Sequence, residues 1–386
     1  MKKPKFYIAT TIALSLFFFK GQPKLWKKKF DVCALSAEKE RLVSFAKEEG
    51  IRYKYIPMRR EISLLADLRC LFRFIWLFIK DKPDIVHGNT PKASMLTMLA
   101  AWITRRPIRI YMCHGLRYET FYGFKRKVLE AMEWLSCHCA TTVIGVSRGV
   151  VDELVKDGLC SKDKTLVVGY GTAGGIDINR FSRESIKDLP NMREELDIPE
   201  DAFVFCFVGR IVRDKGVNEL VEAFDRLSQN RHTAYLLLIG PQEKDLDPIE
   251  EQTQKRIINN SHILALGKKD DVRPYLAISN AFVLPSYREG LGQVLLEANA
   301  MDVPCIASNI VGPRDVIVPN VNGELVDVKN VDALYEKMKE WIDNSEHVEA
   351  MAKGSRRLIV ERFASDHVRD EYCKVYWKLV GMEWNC

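Results

Sequence analysis

The sequence predicts an α/β protein with two doubly wound parallel sheets, each in its own domain. Short apolar runs alternate with helical stretches along most of the chain, which is the pattern of parallel sheets covered by helices. The alternation is interrupted by a glycine-rich segment at 169–175 and restarts near residue 203. At 386 residues, the chain is also longer than one core usually serves. We therefore expect one domain at 1–175 and a second at 176–362.

The composition is that of a globular protein with an uneven distribution of charge. Hydrophobic residues make up 47% of the chain and charged residues 28%, and no low-complexity tract suggests disorder. Residues 1–180 hold 32 lysines and arginines against 17 acids, whereas the remainder holds 26 against 35. The basic first half indicates an anionic partner, such as a membrane surface, a lipid diphosphate or nucleic acid. Nucleic acid is disfavoured because the chain has no zinc-finger, RRM-like or basic-zipper signature.

The ten cysteines favour a reducing, cytoplasmic compartment. They form no Cys-x-x-Cys pair and lie mostly within apolar strands, so they predict no disulfide framework. Cys137-His-Cys139 has the composition of a metal site. However, residues two apart on a helix point in different directions, and no second ligand pair follows at finger spacing. We therefore predict buried thiols at these positions.

The start of the chain resembles a signal peptide, because basic residues precede an apolar run. Thr10, Thr11 and Ser15 interrupt that run, no small-residue cleavage site follows, and the run is too short to span a bilayer. We therefore predict that Lys5–Thr10 is the first parallel strand, followed by a loop and the start of a helix at 11–19. A signal peptide is the alternative.

Six further strands complete the first predicted sheet. They lie at 30–35, 51–57, 83–87, 108–113, 141–146 and 164–168, with helices beginning near residues 37, 61, 124 and 147. The helix at 61–80 is long and apolar, but Asp67, Arg69 and Arg73 would be costly at bilayer depth. We expect a buried domain helix that does not span a membrane, and a helix that also enters the membrane interface is the alternative. The residues that could form a polybasic rim nearby are Lys24, Lys27–Lys29, Arg59, Arg60, Arg105, Arg106 and Lys125–Lys127.

Two features near the ends of these strands have candidate functions. His114 follows the strand at 108–113, at the carboxyl end where ligands of open α/β sheets bind, and it is well placed to donate to a phosphate or sugar oxygen. A structural histidine is the alternative. Gly169-Tyr-Gly-Thr-Ala-Gly174 matches a dinucleotide-binding pattern, but the residues after it have no helical periodicity. We interpret this segment as a flexible link between domains.

The second domain repeats the alternation. Its strands are predicted at 203–208, 234–239, 262–266, 281–284 and 304–307, and its C-terminal helices at 346–363 and 366–380. Arg210 and Lys215 bracket the turn after its first strand, and a pair of cations there suits a diphosphate. Two solvated charges are the alternative. Asp245-Leu-Asp247 resembles a metal-binding Asp-x-Asp, but its position before a helix favours helix capping.

The segment Pro285–Glu297 carries the strongest signal. It follows a buried strand and opens a helix, so Gly290 and Gly292 lie where the first helical N–H groups lack partners and can bind anions or hydroxyls. Glu289 precedes the glycines, and Glu297 follows two helical turns later on the same side. Two carboxylates could thus flank one ligand, although solvated surface acids are the alternative.

Three segments together are similar to the retaining, GT-B-fold glycosyltransferases of the large group 1 family. They are Val208–Gly216, Gly267–Asp271 and Glu289–Glu297, in the family's order and approximate spacing. The resemblance covers nearly the whole chain and implies two Rossmann-like domains facing a cleft, with residues 363–386 returning to the first domain as a C-terminal helix. Leu291 departs from the family, which usually has phenylalanine there. That change affects loop packing and leaves the amides in place.

The resemblance also implies roles for individual residues. Those expected to act in catalysis are Arg210, Lys215, Glu289 and His114, and those expected to bind the donor sugar through their amides are Gly290, Leu291 and Gly292. Glu297 would hold the ribose, and the loop at Lys268 would read the uracil. In the first domain, the loop after the first strand would line the acceptor site, here with Ser15 and Gly21.

These roles predict an enzyme that moves an N-acetylhexosamine from a UDP-sugar to a polyprenyl-diphosphate-linked saccharide, with retention of configuration. The resemblance is to bacterial enzymes of capsule, O-antigen and glycan assembly, including bacillosaminyl N-acetylgalactosaminyltransferases. It implies front-face attack, in which the departing phosphate helps to deprotonate the acceptor. Because Arg210, Lys215 and helix amides would stabilise the diphosphate, we expect no metal or other cofactor. The protein would lie on the inner face of the plasma membrane.

Two other functions fit the same pattern. One is a nucleotide-sugar epimerase of the same fold, which would need no lipid acceptor. The other is a catalytically silent scaffold that binds nucleotide-sugar or membrane. The basic, aromatic-rich first half disfavours the epimerase, and the intact set of Arg210, Lys215, Glu289 and Glu297 disfavours the scaffold.

Overall fold

The computed structural model describes residues 2–59, 61, 63–229, 233–243 and 247–382. The chain divides into two compact units. The first unit runs to Gly175 and resumes at Asp366, and the second is Ile176–Ser365. Arg60 of the predicted basic rim and Asp245 of the Asp-x-Asp motif lie outside the described residues.

A seven-stranded, fully parallel sheet forms the centre of the first unit. Its strands are β1 (Lys5–Ala9), β2 (Asp31–Ser36), β3 (Arg52–Tyr55), β4 (Ile85–Asn89), β5 (Ile108–Cys113), β6 (Thr142–Gly145) and β7 (Thr165–Val167). Its helices are α1 (Gln22–Trp26), α2 (Lys39–Glu49), α3 (Leu64–Asp81), α4 (Pro91–Ile103), α5 (Gly123–Cys139) and α6 (Arg148–Lys156). The spatial order is β3-β2-β1-β4-β5-β6-β7, so the predicted first strand is a central strand that pairs with β2 and β4.

A six-stranded parallel sheet forms the centre of the second unit. Its strands are β8 (Phe203–Val208), β9 (Ala234–Ile239), β10 (Ile263–Gly267), β11 (Ala281–Leu284), β12 (Cys305–Ser308) and β13 (Gly323–Val326). Its helices are α7 (Met192–Glu195), α8 (Val217–Ser228), α9 (Glu251–Asn259), α10 (Arg273–Ala277), α11 (Gln293–Ala300), α12 (Pro313–Val316), α13 (Val331–Asp343) and α14 (Ser345–Phe363). The spatial order is β10-β9-β8-β11-β12-β13. Both sheets therefore have the doubly wound arrangement that the alternating pattern predicts.

The last helix, α15 (Ser365–Leu379), belongs to the first unit from Asp366 onward. Tyr372, Tyr376 and Trp377 are fully buried in that unit. The Tyr372 hydroxyl donates to the carbonyl of Thr172 at 2.8 Å. α15 is thus part of the core of the first unit, whereas α14 remains in the second.

α4 and β13 are among the elements that the sequence analysis did not predict. α4 is buried on nearly all sides between α3 and α5, so it has no one-sided apolar period for a pattern to detect. β13 is a four-residue strand at the edge of its sheet. After β1, the chain forms a 3-10 helix over Ala13–Phe19 where the start of an α-helix was expected.

No helix begins at the last glycine of the glycine-rich segment, which agrees with its interpretation as a link. Gly169 and Gly175 have positive φ, and the boundary between the units follows Gly175. Gly171 also has positive φ, and a Cβ there would lie 2.4 Å from the carbonyl oxygen of Val146. Glycine is required at that position because no side chain fits the approach.

Two predictions about burial have different outcomes. Cys137 and Cys139 are buried on α5, as expected of structural thiols. The prediction of a well-buried α3 is wrong for one face, which exposes large apolar side chains to solvent. Within the described parts of the chain, every helix is too short or too polar to cross a membrane.

Candidate active site

The carboxyl edge of the second sheet contains a reversal in strand order. β8 lies between β9 and β11, so the chain leaves β8 in one direction and returns to its other side at β11. Ligands of open α/β sheets bind in the crevice at such a switch point. Here the loop after β8 (209–216) and the loop after β11 (285–292) lie side by side.

These two loops approach each other closely. The amide of Tyr287 donates to the carbonyl of Asp214 at 2.9 Å. Gly216 has a φ of 69°, and a Cβ there would lie 2.0 Å from the carbonyl oxygen of Pro285. Glycine therefore permits the contact that brings Lys215 to Glu289, whose Nζ and Oε1 atoms are 2.5 Å apart. The two side chains are only 20% and 14% exposed, so solvent screens this ion pair little.

Arg210 lies in the same loop and is held by carboxylates. Its Nη1 donates to Oε2 of Glu243 at 2.8 Å, and its Nη2 lies 3.8 Å from Oδ1 of Asp214. Asp214 also pairs with Arg288 at 3.3 Å. Both predicted diphosphate cations thus lie in the loop after β8, and each is held by a carboxylate. Glu243 and Asp214 were not predicted, because their spacing from Arg210 in the sequence carries no motif.

The N-terminus of α11 forms another side of this site. Gly292 caps the helix with a φ of 88°, and Leu291 is buried beneath the loop. Gly312 packs against the loop so closely that a Cβ there would lie 2.9 Å from the backbone of Gly290. The departure at Leu291 is therefore accommodated inside the loop packing, and Gly290–Gly292 lead into the first turn of the helix.

Glu297 lies on α11, one turn before its end. Burial raises the pKa of its carboxyl group to about 7, and the positive charge of Arg180 partly opposes that shift. The described part of the chain gives Glu297 no hydrogen bond and no ion pair. A partly buried carboxylate without a partner is suited to accept hydrogen bonds from ligand hydroxyls.

Glycines also lie at the carboxyl ends of β8, β9 and β10. The amide of Gly240 donates to the carbonyl of Gly267 at 2.9 Å, and a Cβ on Gly240 would lie 1.7 Å from the carbonyl oxygen of Gly209. Lys268 follows Gly267, is exposed, and lies 4.0 Å from Asp270. Its side chain points into solvent, so a contact with a base in this loop would have to come from the backbone.

The predicted capping role of the Asp-x-Asp motif is wrong for Asp247. The following helix, α9, begins only at Glu251. Instead, Oδ2 of Asp247 accepts from the amide of Asp214 at 2.6 Å, and its Oδ1 pairs with Arg213 at 3.2 Å. Asp247 therefore braces the Lys215 turn. The described residues contain no group of three or more His, Cys, Asp or Glu side chains that could hold a metal ion.

In the first unit, His114 begins a chain of buried hydrogen bonds. Its Nε2 lies 3.2 Å from Oδ1 of Asn89, whose Nδ2 lies 2.9 Å from Nδ1 of His87. The Nε2 of His87 lies 2.9 Å from the hydroxyl of Tyr376 on α15. Burial lowers the pKa of His87 to about 3 and that of His114 to about 4, so both rings are neutral near pH 7.

With the amide oxygen of Asn89 towards His114 and its nitrogen towards His87, the proton positions in this chain follow. An amide nitrogen can only donate, so Nδ1 of His87 accepts and its Nε2 carries the proton. An amide oxygen can only accept, so Nε2 of His114 also carries a proton. Since the ring is neutral, Nδ1 of His114 is left as a hydrogen-bond acceptor. In this arrangement the Nε2 proton of His114 points to Asn89, and the role of His114 as a donor to the ligand stays a prediction.

The residues after β1 form a tightly held loop. Ser15 is buried in the 3-10 helix. The amide of Gly21 donates to Oε1 of Glu49 at 2.7 Å, and a Cβ on Gly21 would lie 2.8 Å from the guanidinium of Arg369. At the same sheet edge, Thr90 has a φ of 66°, which a β-branched residue rarely adopts. Such strain is concentrated at functional sites, and no sequence pattern marked it.

Comparison with known proteins assigns both halves of the chain to glycosyltransferase families. Residues 188–358 match the model of glycosyl transferases group 1, and residues 25–171 match the glycosyl transferase 4-like domain. A capsular polysaccharide biosynthesis glycosyltransferase of Staphylococcus aureus, CapM, is 34% identical over 97% of both chains. A UDP-Gal:α-D-GlcNAc-diphosphoundecaprenol α-1,3-galactosyltransferase of Escherichia coli is 26% identical over 89% of both chains.

Solved structures identify the fold. HepE of Anabaena in complex with UDP matches with a TM-score of 0.78 and 18% identity, over 97% of this chain and 99% of HepE. Sucrose-phosphate synthase of Thermosynechococcus elongatus matches with a TM-score of 0.80 and 18% identity, over 98% of this chain and all of the other. These likenesses confirm the predicted GT-B fold. Together with the relatives in sequence, they show that the chain belongs to the group 1 family of glycosyltransferases.

Proposed function

We propose that the protein transfers a sugar from a UDP-sugar to a polyprenyl-diphosphate-linked saccharide during assembly of a surface polysaccharide. The observation that carries the proposal is the convergence of Lys215, Arg210 and Glu289 at the β8/β11 switch point, beside the N-terminus of α11. Two cations and a helix N-terminus suit a diphosphate, while a carboxylate suits sugar hydroxyls. The capsular relative and the relative that acts on a diphosphoundecaprenol substrate support this choice of pathway and acceptor.

The donor is expected to bind along this edge of the second unit. Glu297 accepts hydrogen bonds from the ribose, the backbone around Lys268 contacts the uracil, and the amides of Gly290–Gly292 contact the sugar. The UDP complex of a protein with the same fold supports a UDP-linked donor. An N-acetylhexosamine is the sugar we propose, on the resemblance to glycan-assembly enzymes.

The chemistry proposed is transfer with retention and without a metal. The bond between the anomeric carbon and the β-phosphate oxygen breaks, and the acceptor hydroxyl oxygen bonds to the same face of that carbon. The acceptor proton passes to the departing β-phosphate. Lys215 and Arg210 stabilise the negative charge that grows on this phosphate, which is preorganised electrostatic stabilisation of a transition state.

The acceptor is proposed to meet the first unit, in which basic residues outnumber acids. A lipid diphosphate lies at a membrane surface, and cationic residues attract the anionic inner leaflet. We therefore propose a peripheral protein on the inner face of the plasma membrane, with the loop of Ser15 and Gly21 near the acceptor.

A screen of UDP-sugars with a short polyprenyl-diphosphate N-acetylhexosamine as acceptor tests the proposal, with UDP release and product mass as readouts. Acceptor-dependent UDP release with one UDP-sugar, and an anomeric configuration retained by NMR, are expected. Conversion of a UDP-sugar to an isomer without acceptor would show an epimerase instead. Binding of UDP without any turnover across the panel would show a silent scaffold.

A further inference from the structure

One face of α3 is exposed and apolar along its whole length. Six large apolar side chains on this helix are between 45% and 77% exposed: Leu64, Leu65, Leu68, Phe72, Trp76 and Ile79. At 3.6 residues per turn they fall within about 120° of the helix circumference. The opposite side packs into the first unit through Cys70, Phe74, Leu77 and Phe78. The exposed residues therefore form a continuous stripe that runs about 23 Å from Leu64 to Ile79 at 1.5 Å per residue.

Cations border this stripe on one side. Arg69, Arg73 and Lys80 are the remaining exposed residues of α3, and helical spacing places them together along one edge of the apolar residues. The ammonium of Lys80 lies 4.9 Å from the centre of the Trp76 ring. An amphipathic helix with aromatic and aliphatic residues on one face and a basic edge is typical of a helix that lies in a membrane interface.

Both acids of α3 are turned away from this face. Asp67 pairs with the buried Lys92 at 2.9 Å, and its own side chain is 13% exposed. Asp81 pairs with Lys54 at 2.5 Å and accepts from the hydroxyl of Tyr7 at 2.6 Å. These partners neutralise the two carboxylates inside the unit, so the outward face of α3 carries three positive charges and no negative one.

We propose that the exposed face of α3 docks on the surface of an anionic phospholipid bilayer, with the apolar stripe among the acyl chains and Arg69, Arg73 and Lys80 at the lipid phosphates. The proposal rests on the proposed function, because it supplies the contact that would bring the first unit to a lipid-linked acceptor. Charge complementarity favours a bilayer over a second copy of the chain. A second copy would bring the same cations to the interface without a carboxylate on that face to pair with them.

Vesicle flotation of the full-length protein tests this surface without any need for enzyme activity. The probes are phosphatidylcholine vesicles with and without phosphatidylglycerol, at low and high salt. We expect the wild-type protein to bind the anionic vesicles, and salt to weaken that binding. Phe72→Ser with Trp76→Ser should lose binding by at least about tenfold, because two large apolar side chains no longer enter the lipid. Arg69→Gln with Arg73→Gln should lose a similar factor at low salt and little at high salt.

Ile258→Ser is the matched control, because Ile258 is an equally exposed apolar residue on a helix of the second unit. It should bind vesicles like the wild type. Wild-type binding that is absent or equal on neutral vesicles, or unchanged in both double variants, would overturn the proposal. So would a wild-type dimer that becomes monomeric in Phe72→Ser with Trp76→Ser and never binds vesicles.

UDP binding measured by calorimetry on the same samples separates the two proposals. The four substituted α3 residues are exposed, so each variant should bind UDP like the wild type. Loss of vesicle binding with normal UDP binding supports the α3 surface. Vesicle binding by a protein that does not bind UDP leaves this surface intact and counts against the proposed function alone.

Discussion

The Nζ of Lys215 lies 2.5 Å from Oε1 of Glu289, although 74 residues separate them in sequence. Each holds the other in place at the switch point of the second sheet. Lys215 is proposed to meet the β-phosphate and Glu289 the sugar, so their ion pair also fixes the spacing between the two contacts. A change at one residue is therefore expected to affect the other, and double variants should be less than additive.

Lys215→Ala should lower kcat by about a hundredfold or more, the loss typical of removing one preorganised donor to a developing anion. Its charge faces a phosphate that becomes more negative as the glycosidic bond breaks, so its contribution grows in the transition state. Glu297→Ala should mainly raise KM, because the ribose contact does not change during the reaction. Steady-state kinetics with varied UDP-sugar provide the measurement.

Arg213→Ala is the control for Lys215, because Arg213 lies in the same turn, is 62% exposed and pairs with Asp247 rather than Glu289. It should keep near-wild-type kcat. The kcat of Glu289→Ala should lie between those of Lys215→Ala and Glu297→Ala, since a poorly oriented sugar reacts slowly. A Lys215→Ala enzyme with wild-type kcat would place the diphosphate elsewhere.

The affinity for UDP should fall as the pH is lowered through 7. Burial raises the pKa of Glu297 to about 7, and only the carboxylate accepts two ribose hydrogen bonds. The ionised fraction of such a group falls about tenfold between pH 8 and pH 6, so the dissociation constant should rise by about that factor. Calorimetric titration of UDP at several pH values measures it. Glu297→Gln should remove this contribution to the pH dependence of the dissociation constant and leave only the contribution from the titration of UDP itself.

The same pKa predicts an effect on stability with a defined sign. Folding raises the Glu297 pKa from 4.5 to about 7, so the folded protein holds this proton more tightly than the unfolded chain. This contribution to stability is fully present below pH 4.5 and is lost as the pH rises through 7. Glu297→Gln should therefore raise Tm at pH 8 more than at pH 5. An equal change in Tm at both pH values would show that folding does not raise the pKa of this carboxyl group.

Part of this site could be predicted from local sequence alone. Both loops follow apolar strands, and the carboxyl ends of parallel strands meet at one edge of a sheet, so Lys215 and Glu289 had to lie on the same edge. Their direct contact depends on β8 and β11 being neighbours, which no local pattern specifies. The resemblance to a family supplied that information, and the contact itself needs Gly216 to lie against Pro285.

The side chains that hold Arg210 and His87 could not be predicted. Asp214 and Glu243 lie in turns without a motif, and Tyr376 is 289 residues from His87 in the sequence. For α3, a buried helix was preferred over the alternative of a helix that enters the membrane interface, and the reason is different. This helix has apolar residues on both sides, so periodicity could not distinguish its buried side from its exposed one. The inward ion pairs of Asp67 and Asp81 determine which side is buried, and they form only when the sheet and α4 are in place.

Turnover is expected to persist in excess chelator. Lys215, Arg210 and the amides at the start of α11 provide positive charge where a divalent metal ion would otherwise be needed. In the Asp-x-Asp motif, the carboxylate of Asp247 already accepts hydrogen bonds from the amide of Asp214 and the guanidinium of Arg213. Initial rates with EDTA and with added magnesium or manganese are the measurement. Activity that disappears with EDTA and returns with either metal would contradict this expectation.

The hydrogen-bond chain from Tyr376 to His114 predicts a fixed tautomer. Asn89 can only accept from His114 through its oxygen, so Nε2 of His114 should carry the proton and Nδ1 should be bare. With the pKa lowered to about 4, this state should persist from pH 5.5 to pH 8. Long-range ¹H–¹⁵N spectra of the histidine rings report the tautomer, and comparison with His114→Gln assigns the signal.

Tyr376→Phe should disturb this chain from its far end. It removes the hydroxyl that accepts from Nε2 of His87, and a buried donor without a partner costs about 1–3 kcal/mol. His87 then becomes more stable with its proton on Nδ1 than on Nε2. A proton on Nδ1 faces the amide NH₂ of Asn89, which also donates, so Asn89 must turn and its hydrogen bond to His114 is lost. We expect a mixture of His114 tautomers and a lower kcat at a temperature well below Tm, with little change in KM. Tyr372→Phe is the control, because its hydroxyl donates to Thr172 and not to this chain. A purely structural role for Tyr376 would lower Tm and leave the His114 spectrum and kcat as they are in the wild type.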